Sequence, residues 1–264
     1  MKNNKNRIIT KRYHFENIDS TNKKARELAQ EGCLHGTLVT ADAQNAGIGR
    51  RGRNWSSEKD TGIYMSVVLC PNIETDEASM LTLVAAMAVE KAIEHVCQNG
   101  QMQNAQIEPR IKWPNDIVMN KKKVCGILTE LSLKDTKIDF IVLGIGINVD
   151  TLTFPEEIAQ TASSIRLETG QDVDKELLID EIWRQFEFYY EQFLQTKDVS
   201  LFKGEYEKAL INKEEKVKVL DPLGEYTGVA RGITNTGELI VDTGCKTKYV
   251  SSGEVSVRGI YGYV

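Results

Sequence analysis

Four short segments of the chain concentrate residues able to bind anions, bare the backbone or move protons. Gln44–Trp55 reads QNAGIGRRGRNW. Gly47, Gly49 and Gly52 would let the backbone approach a ligand closely, and Arg50, Arg51 and Arg53 can fork onto phosphate or carboxylate oxygens. The glycines formally match the G-x-G-x-x-G dinucleotide fingerprint, which requires a strand before it and a helix after it. A polar loop and a β-type run follow instead. The segment is therefore read as an anion-binding loop, with a solvated basic hairpin tip as the plainer alternative. Its three glycines and three mutually repelling arginines also predict a loop that moves until a ligand orders it.

Lys112–Trp113–Pro114–Asn115–Asp116 sets a cation, an aromatic, a rigid turn and a carboxylate at a predicted strand end, where catalytic groups are common. An ordinary Pro-Asn turn accounts for Pro114 and Asn115 but not for Lys112 and Trp113. In Lys123–Glu130, KVCGILTE, Gly126 interrupts a strand, which marks close approach of a ligand or another backbone. Lys121 and Lys122 read as a solvated turn, and Lys123 as the lysine that points inward. Leu143–Val149, LGIGINV, puts two glycines and Asn148 in a β-run, for which a bulge in a core strand is the competing explanation. No Ser/His/Asp or Cys/His set is recognisable, nor a carboxylate cluster of the two-metal kind. Cationic clamping of anions around a glycine-lined cavity suits transfer of an acyl or nucleotidyl group, where positioning and electrostatics do most of the catalysis.

These segments need a scaffold. Asp19–Asn22 offers N-cap chemistry before KKARELAQE, with Ala25, Leu28 and Ala29 at helical spacing and Gly32 as the stop. Strands are expected at Thr37–Asp42, Ile63–Leu69 and Ile107–Trp113. Lys123–Leu133 and Ile138–Val149 read as a hairpin turning at Lys134–Lys137. Glu77–Gln98 is apolar on most faces and reads as a buried helix; Asp174–Gln195 is a second, with Leu178, Ile182, Phe186 and Tyr189 at helical spacing. From about residue 212 short β-runs alternate with turn signals such as Asn235–Gly237 and Asp242–Gly244, which predicts a small barrel of about five strands.

The 264 residues allow one to two domains, and 41% hydrophobic with 27% charged residues is ordinary globular composition. A net charge of −5 gives no bulk attraction to nucleic acid or anionic lipid. Five cysteines without a C-x-x-C pair argue against a disulfide framework or zinc knuckle, and three scattered histidines against a His-based metal site. The start, MKNNKNRIITKRYHF, has no apolar core of a secretory signal, and no apolar run reaches the ~18 residues of a membrane span. A cytoplasmic protein without a membrane partner is expected.

In order along the chain, DSTN (Asp19–Asn22), Q-x-x-G-x-G-R-x-G-R-x-W (Gln44–Trp55), KWPND (Lys112–Asp116), K-x-x-GIL-x-E (Lys123–Glu130), GIGINV (Gly144–Val149) and RG (Arg231–Gly232) together resemble the biotin–protein ligases. The resemblance implies an α+β architecture. A mixed-sheet biotin/lipoate-ligase catalytic domain (13–205), after a short extension (1–12), would precede a small SH3-like β-barrel (212–264). It implies two half-reactions: biotin and MgATP give biotinyl-5′-AMP, and a lysine of a biotin carboxyl carrier protein then takes the biotin. Ser20, Thr21, Asn22 and Gln44 would serve the ureido ring, and Gly47, Ile48, Gly49, Arg50, Lys123 and Gly126 the rest of biotin. Arg51, Arg53, Trp55, Lys112, Asn115, Asn148 and Arg231 would bind the nucleotide, with Lys112, Asn115 and Asn148 near phosphates and magnesium. Catalysis would fall to Lys123 at the biotin carboxylate, Asp116 at the incoming amine, Arg50 retaining the adenylate, and Lys112. At Ile48 the family commonly has Arg or His, so the loop carries one charge fewer. Too few residues precede Tyr13 for the winged helix that some members use on DNA, so specific DNA binding is not expected. A homodimer is one option for the oligomeric state. The alternatives are a lipoate–protein ligase and a non-catalytic sensor of biotinyl-AMP.

Overall fold

The computed structural model describes residues 8–99, 108–253, 255–260 and 262–264. Two sheets organise them. The larger contains β1 (Lys11–Ile18), β2 (Thr37–Gln44), β3 (Gly62–Leu69), β4 (Arg110–Lys112), β5 (Asp116–Met119), β6 (Lys122–Lys134) and β7 (Lys137–Asn148). Their order across the sheet is β1-β2-β3-β7-β6-β5-β4. β1 runs parallel to β2, whereas β3, β7, β6, β5 and β4 each pair antiparallel with their neighbours. The sheet is therefore mixed, as expected.

α1 (Thr21–Gln30) begins where the sequence signals it: Ser20 is extended and its side chain accepts from the Lys23 N–H. That cap satisfies an otherwise unpaired amide and is worth about 1 kcal/mol. α2 (Leu81–Asn99) is preceded by a 3₁₀ turn, Glu77–Met80, so the predicted single helix starts with a tighter turn. Packed on α2 is α4 (Lys175–Thr196), which follows the short α3 (Ile165–Thr169). Leu178, Ile182, Phe186 and Tyr189 are all buried, as their helical spacing requires. Phe186 is fully enclosed, and truncating it to alanine would cost about 3–5 kcal/mol.

After α5 (Lys203–Ala209) comes a five-stranded antiparallel sheet: β8 (Lys216–Leu220), β9 (Tyr226–Ile233), β10 (Leu239–Asp242), β11 (Thr247–Val250) and β12 (Ser256–Gly259). Its order is β11-β10-β9-β8-β12. The turn before β10 touches α2. Gly237 has φ +82, and a Cβ there would lie 2.8 Å from Leu83. Its carbonyl accepts from Trp113 Nε1 at 3.0 Å, and Asn212 Oδ1 accepts from the Trp113 backbone N–H at 3.0 Å. One apolar core runs through both sheets.

β1 and β5 have no counterpart in the sequence reading. β1 is a polar edge strand with most side chains at least partly exposed, so no buried face betrays it. β5 has only four residues, directly after the KWPND turn. Of the predicted strand Ile107–Trp113, the described part is Arg110–Lys112, and Ile107 lies outside the described residues. All five cysteines are free. Among the described residues no helix is long and apolar enough to cross a membrane.

Candidate functional site

Two adjoining cavities open at the ends of β2, β5, β6 and β7. The first is built on the N-terminus of α1. Thr21 donates to Gln44 Oε1 through its backbone N–H (2.8 Å) and its hydroxyl (3.1 Å), and Gln44 Nε2 donates to Ser57 Oγ at 2.8 Å. Ser66 Oγ lies 2.8 Å from Thr21 Oγ1 and 2.6 Å from Asn22 Oδ1, and Asn22 Nδ2 donates to Glu130 at 2.7 Å. Every side chain in this chain of contacts has its orientation fixed by another. Such a network presents donors and acceptors in a set pattern to a neutral polar ring.

Opposite this network the wall is bare backbone. A Cβ on Gly144 would lie 2.0 Å from Asn22 Oδ1; one on Gly146 would lie 2.6 Å from Trp55 Nε1, and one on Gly126 2.9 Å from the Trp55 ring. The glycines of β6 and β7 thus clear space for the α1 network and for an indole. Trp55 fills much of the pocket, leaving about 40 Å³ free against about 220 Å³ in the neighbouring cavity. Its buried Nε1 has no hydrogen-bond partner among the described residues, a donor left over in a polar site.

The second cavity is cationic and lies between the two sheets. Asp116 stands at its floor, with Lys123 Nζ 2.6 Å from Oδ1 and Lys112 Nζ 3.9 Å from Oδ2. The Tyr263 hydroxyl makes a very short hydrogen bond to Oδ2. Oδ1 is buried, and Lys123 is the group that reaches it among the described residues. Burial by itself would raise the Asp116 pKa; the charges of Lys123 and Lys112 and the hydrogen bonds from Lys123 and Tyr263 overcome it, and the net shift is downward. Burial dominates at Lys112, whose pKa falls to about 8 despite Asp116, with Lys123, Arg258 and Arg50 adding to the fall.

Arg50 links the KWPND turn to the segment before β12. Nη1 donates to Asn115 Oδ1 at 2.8 Å, and Nη2 to the carbonyls of Ser252 (2.6 Å) and Gly253 (2.8 Å). Its loop closes on itself through Gly49 N–H to Arg53 O and Trp55 N–H to Gly47 O. Asn115 is fixed by donating to the Ile127 carbonyl, and Asn148 by donating to that of Ser163. Lys123, the second residue of β6, is locked between Thr161 and Ser163 by two backbone hydrogen bonds and points inward.

Ser20, Thr21, Asn22, Gln44, Ile48, Gly49, Arg50, Lys123 and Gly126 line the first cavity; Gly47 supports it from behind, against Trp55 and Ser57. Arg51, Arg53, Lys112, Asn115, Asp116 and Asn148 line the second, and Trp55, Arg50 and Lys123 face both. Arg231 is not brought to either. It lies on β9 with its guanidinium on Glu214 and Asp242, exposed. Sequence reasoning missed Ser66, a polar residue inside the apolar run of β3, which was a usable signal. It also missed Tyr263 and Arg258, which reach the cavity from the end of the chain and carried none. The Gln44–Trp55 segment continues through a 3₁₀ turn (Arg50–Gly52) into β3, so the rejected dinucleotide reading stays rejected.

Residues 14–148 match the biotin/lipoate A/B protein ligase family, and residues 214–258 match the biotin protein ligase C-terminal domain. The chain is 36% identical to a bifunctional ligase/repressor BirA of Bacillus spizizenii, over 91% of this chain and 72% of that protein. It is 30% identical to a biotin–[acetyl-CoA-carboxylase] ligase of Mycobacterium tuberculosis, over 89% of this chain and 85% of that one. A biotin protein ligase from Aquifex aeolicus, solved in complex with biotin and ATP, superposes with a TM-score of 0.81 at 31% identity, covering 95% of this chain and 100% of that chain.

Proposed function

The chain belongs to the biotin protein ligase family, and we propose that its two cavities divide the family's reaction between them. The protein is an ATP-dependent ligase that joins biotin to the carrier of a biotin-dependent carboxylase. Neither a lipoate ligase nor a sensor without catalysis fits relatives named for biotin ligation.

The reading of individual residues rests on the junction of the cavities at Lys123, which faces both. Biotin's ureido ring suits the Thr21–Asn22–Gln44 network, and its fused rings suit the space over Gly126 and Gly146, from which Trp55 would withdraw. Its carboxylate would then meet Lys123. The carboxylate oxygen attacks the α-phosphorus of ATP, the bond to the β-phosphate bridge breaks, and pyrophosphate leaves. Lys112, Arg51 and Arg53 supply positive charge along the phosphates, where developing charge is stabilised most strongly out of water. Arg50 spans loop, catalytic domain and small domain, and would seal the adenylate between them. In the second half-reaction the carrier's lysine amine attacks the biotinyl carbonyl carbon, AMP departs with the electron pair of the broken C–O bond, and Asp116 takes the amine proton.

Magnesium would arrive with the nucleotide. Asn148 spends its Nδ2 on Ser163, leaving a carbonyl oxygen on the lining of the second cavity, a donor suited to a hard cation. Among the described residues no group of three or more His, Cys, Asp or Glu could hold a metal, so phosphates would supply most of the ion's shell. When bound, the ion neutralises phosphate charge.

The test is mass spectrometry of a carrier domain incubated with enzyme, MgATP and equimolar biotin and lipoate. A biotinyl shift on one lysine is expected. A lipoyl shift without a biotinyl one would overturn the reading.

A further inference from the structure

We propose that Tyr263 is a positioning residue that keeps Asp116 paired until the carrier lysine replaces it, and thereby favours the carrier over small amines as acceptor. The inference rests on the reading of Asp116 as proton acceptor in transfer.

Both oxygens of Asp116 are taken: Oδ1 by Lys123 Nζ at 2.6 Å, Oδ2 by the Tyr263 hydroxyl. An amine that is to lose its proton to this carboxylate must displace one of them. Lys123 is the harder to move. It is a charge on a charge, and its backbone is pinned by Thr161 and Ser163 at the start of a thirteen-residue strand. Tyr263 is neutral and lies after β12, outside any helix or strand. Its backbone belongs to a short tail that folds back after β12, where a Cβ on Gly259 would lie 2.0 Å from the Val264 carbonyl oxygen. Glycine at 259 lets that tail lie flat and brings the phenol into the cavity. The ring also covers Lys112, whose Nζ is 4.2 Å from its centroid. The tail therefore stands over the catalytic carboxylate in a place that docking of another protein can disturb.

Opening this contact costs a charge-assisted hydrogen bond. A docked carrier domain can meet the cost from its binding surface, whereas a free amine cannot. Specificity of this kind comes from binding energy used to complete the site. The step balances simply. The amine nitrogen bonds to the biotinyl carbonyl carbon, the carbonyl–O(phosphate) bond breaks with its electrons going to AMP, and the amine proton passes to Oδ2 where the phenol had been.

The experiment loads the full-length enzyme, in excess, with preformed biotinyl-5′-AMP and follows single-turnover discharge to carrier domain and to Nα-acetyl-lysine amide. The second acceptor has the same ε-amine without a docking surface. Tyr263→Phe removes the hydroxyl and keeps the ring. Discharge to the small amine should rise about tenfold relative to discharge to the carrier, matching release of one charge-assisted hydrogen bond. An unchanged or lower ratio overturns the inference. If Tyr263→Phe does not fold, the chain ending at Gly262 is measured in its place: a raised ratio supports the inference, and an unchanged or lower one overturns it. Asp116→Asn separates the two ideas. If it leaves discharge to both acceptors intact, the reading of Asp116 as proton acceptor has failed. If it abolishes both while Tyr263→Phe changes nothing, only the role of Tyr263 has failed.

Discussion

Asp116 and Glu90 are carboxylates buried to a similar degree, 7% and 4% exposed, in two regions that treat them differently. Asp116 stands where Lys112 on β4, Lys123 on β6 and Tyr263 from the chain end converge, and its pKa is held below the ordinary carboxylate value. Glu90 lies on α2, and the cation near it is its neighbour Lys91 at 3.5 Å, which sits closer to Glu94 at 2.7 Å. Its Oε2 is buried, and among the described residues it has no well-directed hydrogen bond. Burial therefore pushes its pKa up to about 7, with Lys91 and, more weakly, Arg110 on β4 opposing and Glu94 adding to the rise. Burial alone makes a carboxylate neutral near physiological pH. Keeping one ionised takes cations brought from separate elements, and the fold spends three of its segments doing so at one place.

The sharpest break in this comparison is Asp116→Asn. A lost general base costs about 10²–10⁴-fold, so transfer to the carrier should collapse while pyrophosphate release continues. Equal loss of both half-reactions in rapid-quench assays would remove Asp116 from its assigned role. Next in size is Lys123→Ala. One charge-assisted contact is worth about 1.5–3 kcal/mol, or one to two decades. Adenylate synthesis and biotin affinity should fall together by that amount. Arg50→Gly should instead leave synthesis largely in place and release the adenylate, visible as biotin on a bystander protein. Absence of bystander labelling would contradict a retaining role for Arg50.

The remaining effect is on stability and leaves catalysis untouched. Glu90 ordinarily titrates near 4.5 and in the fold near 7. The unfolded chain gives up this proton first as pH rises, so stability falls from about pH 4.5 until the folded pKa is passed. One pKa unit is about 1.4 kcal/mol, which makes the loss at most about 3.5 kcal/mol. Glu90→Gln should therefore raise the melting temperature by a few °C at pH 8 and much less at pH 5, with ligation unaffected. The same gain at both pH values would mean that ionisation of Glu90 is not what costs stability.

The difference between the two regions also explains what could be read from the chain. Lys112, Asp116 and Lys123 were legible because turn and strand signals fix them locally, and Ser20 because a helix cap is a local feature. The hairpin of β6 and β7 followed from its apolar runs and polar turn. Tyr263 was not legible, since its contact with Asp116 spans 147 positions and depends on how the small domain docks. Arg231 shows the converse. Its Arg-Gly pair matched a motif, yet Glu214 and Asp242 claim the guanidinium at the surface. Glu90 carried no signal of its own within the apolar helix, since burial of its carboxylate depends on what packs against α2. Trp113 lies on the lining of the second cavity, and its indole also ties the end of β4 to the turn before β10 through Gly237.

The site is built around an Asp116 kept ionised by Lys123, Lys112 and Tyr263, while burial leaves Glu90 protonated up to neutrality. The direct measurement is a carboxyl-¹³C titration of protein labelled at Asp and Glu, with Asp116→Asn and Glu90→Gln to assign the two signals. Asp116 should titrate below the ordinary carboxylate range and Glu90 near pH 7. An Asp116 signal that titrates near neutrality, or a Glu90 signal already ionised at pH 5, would contradict the account.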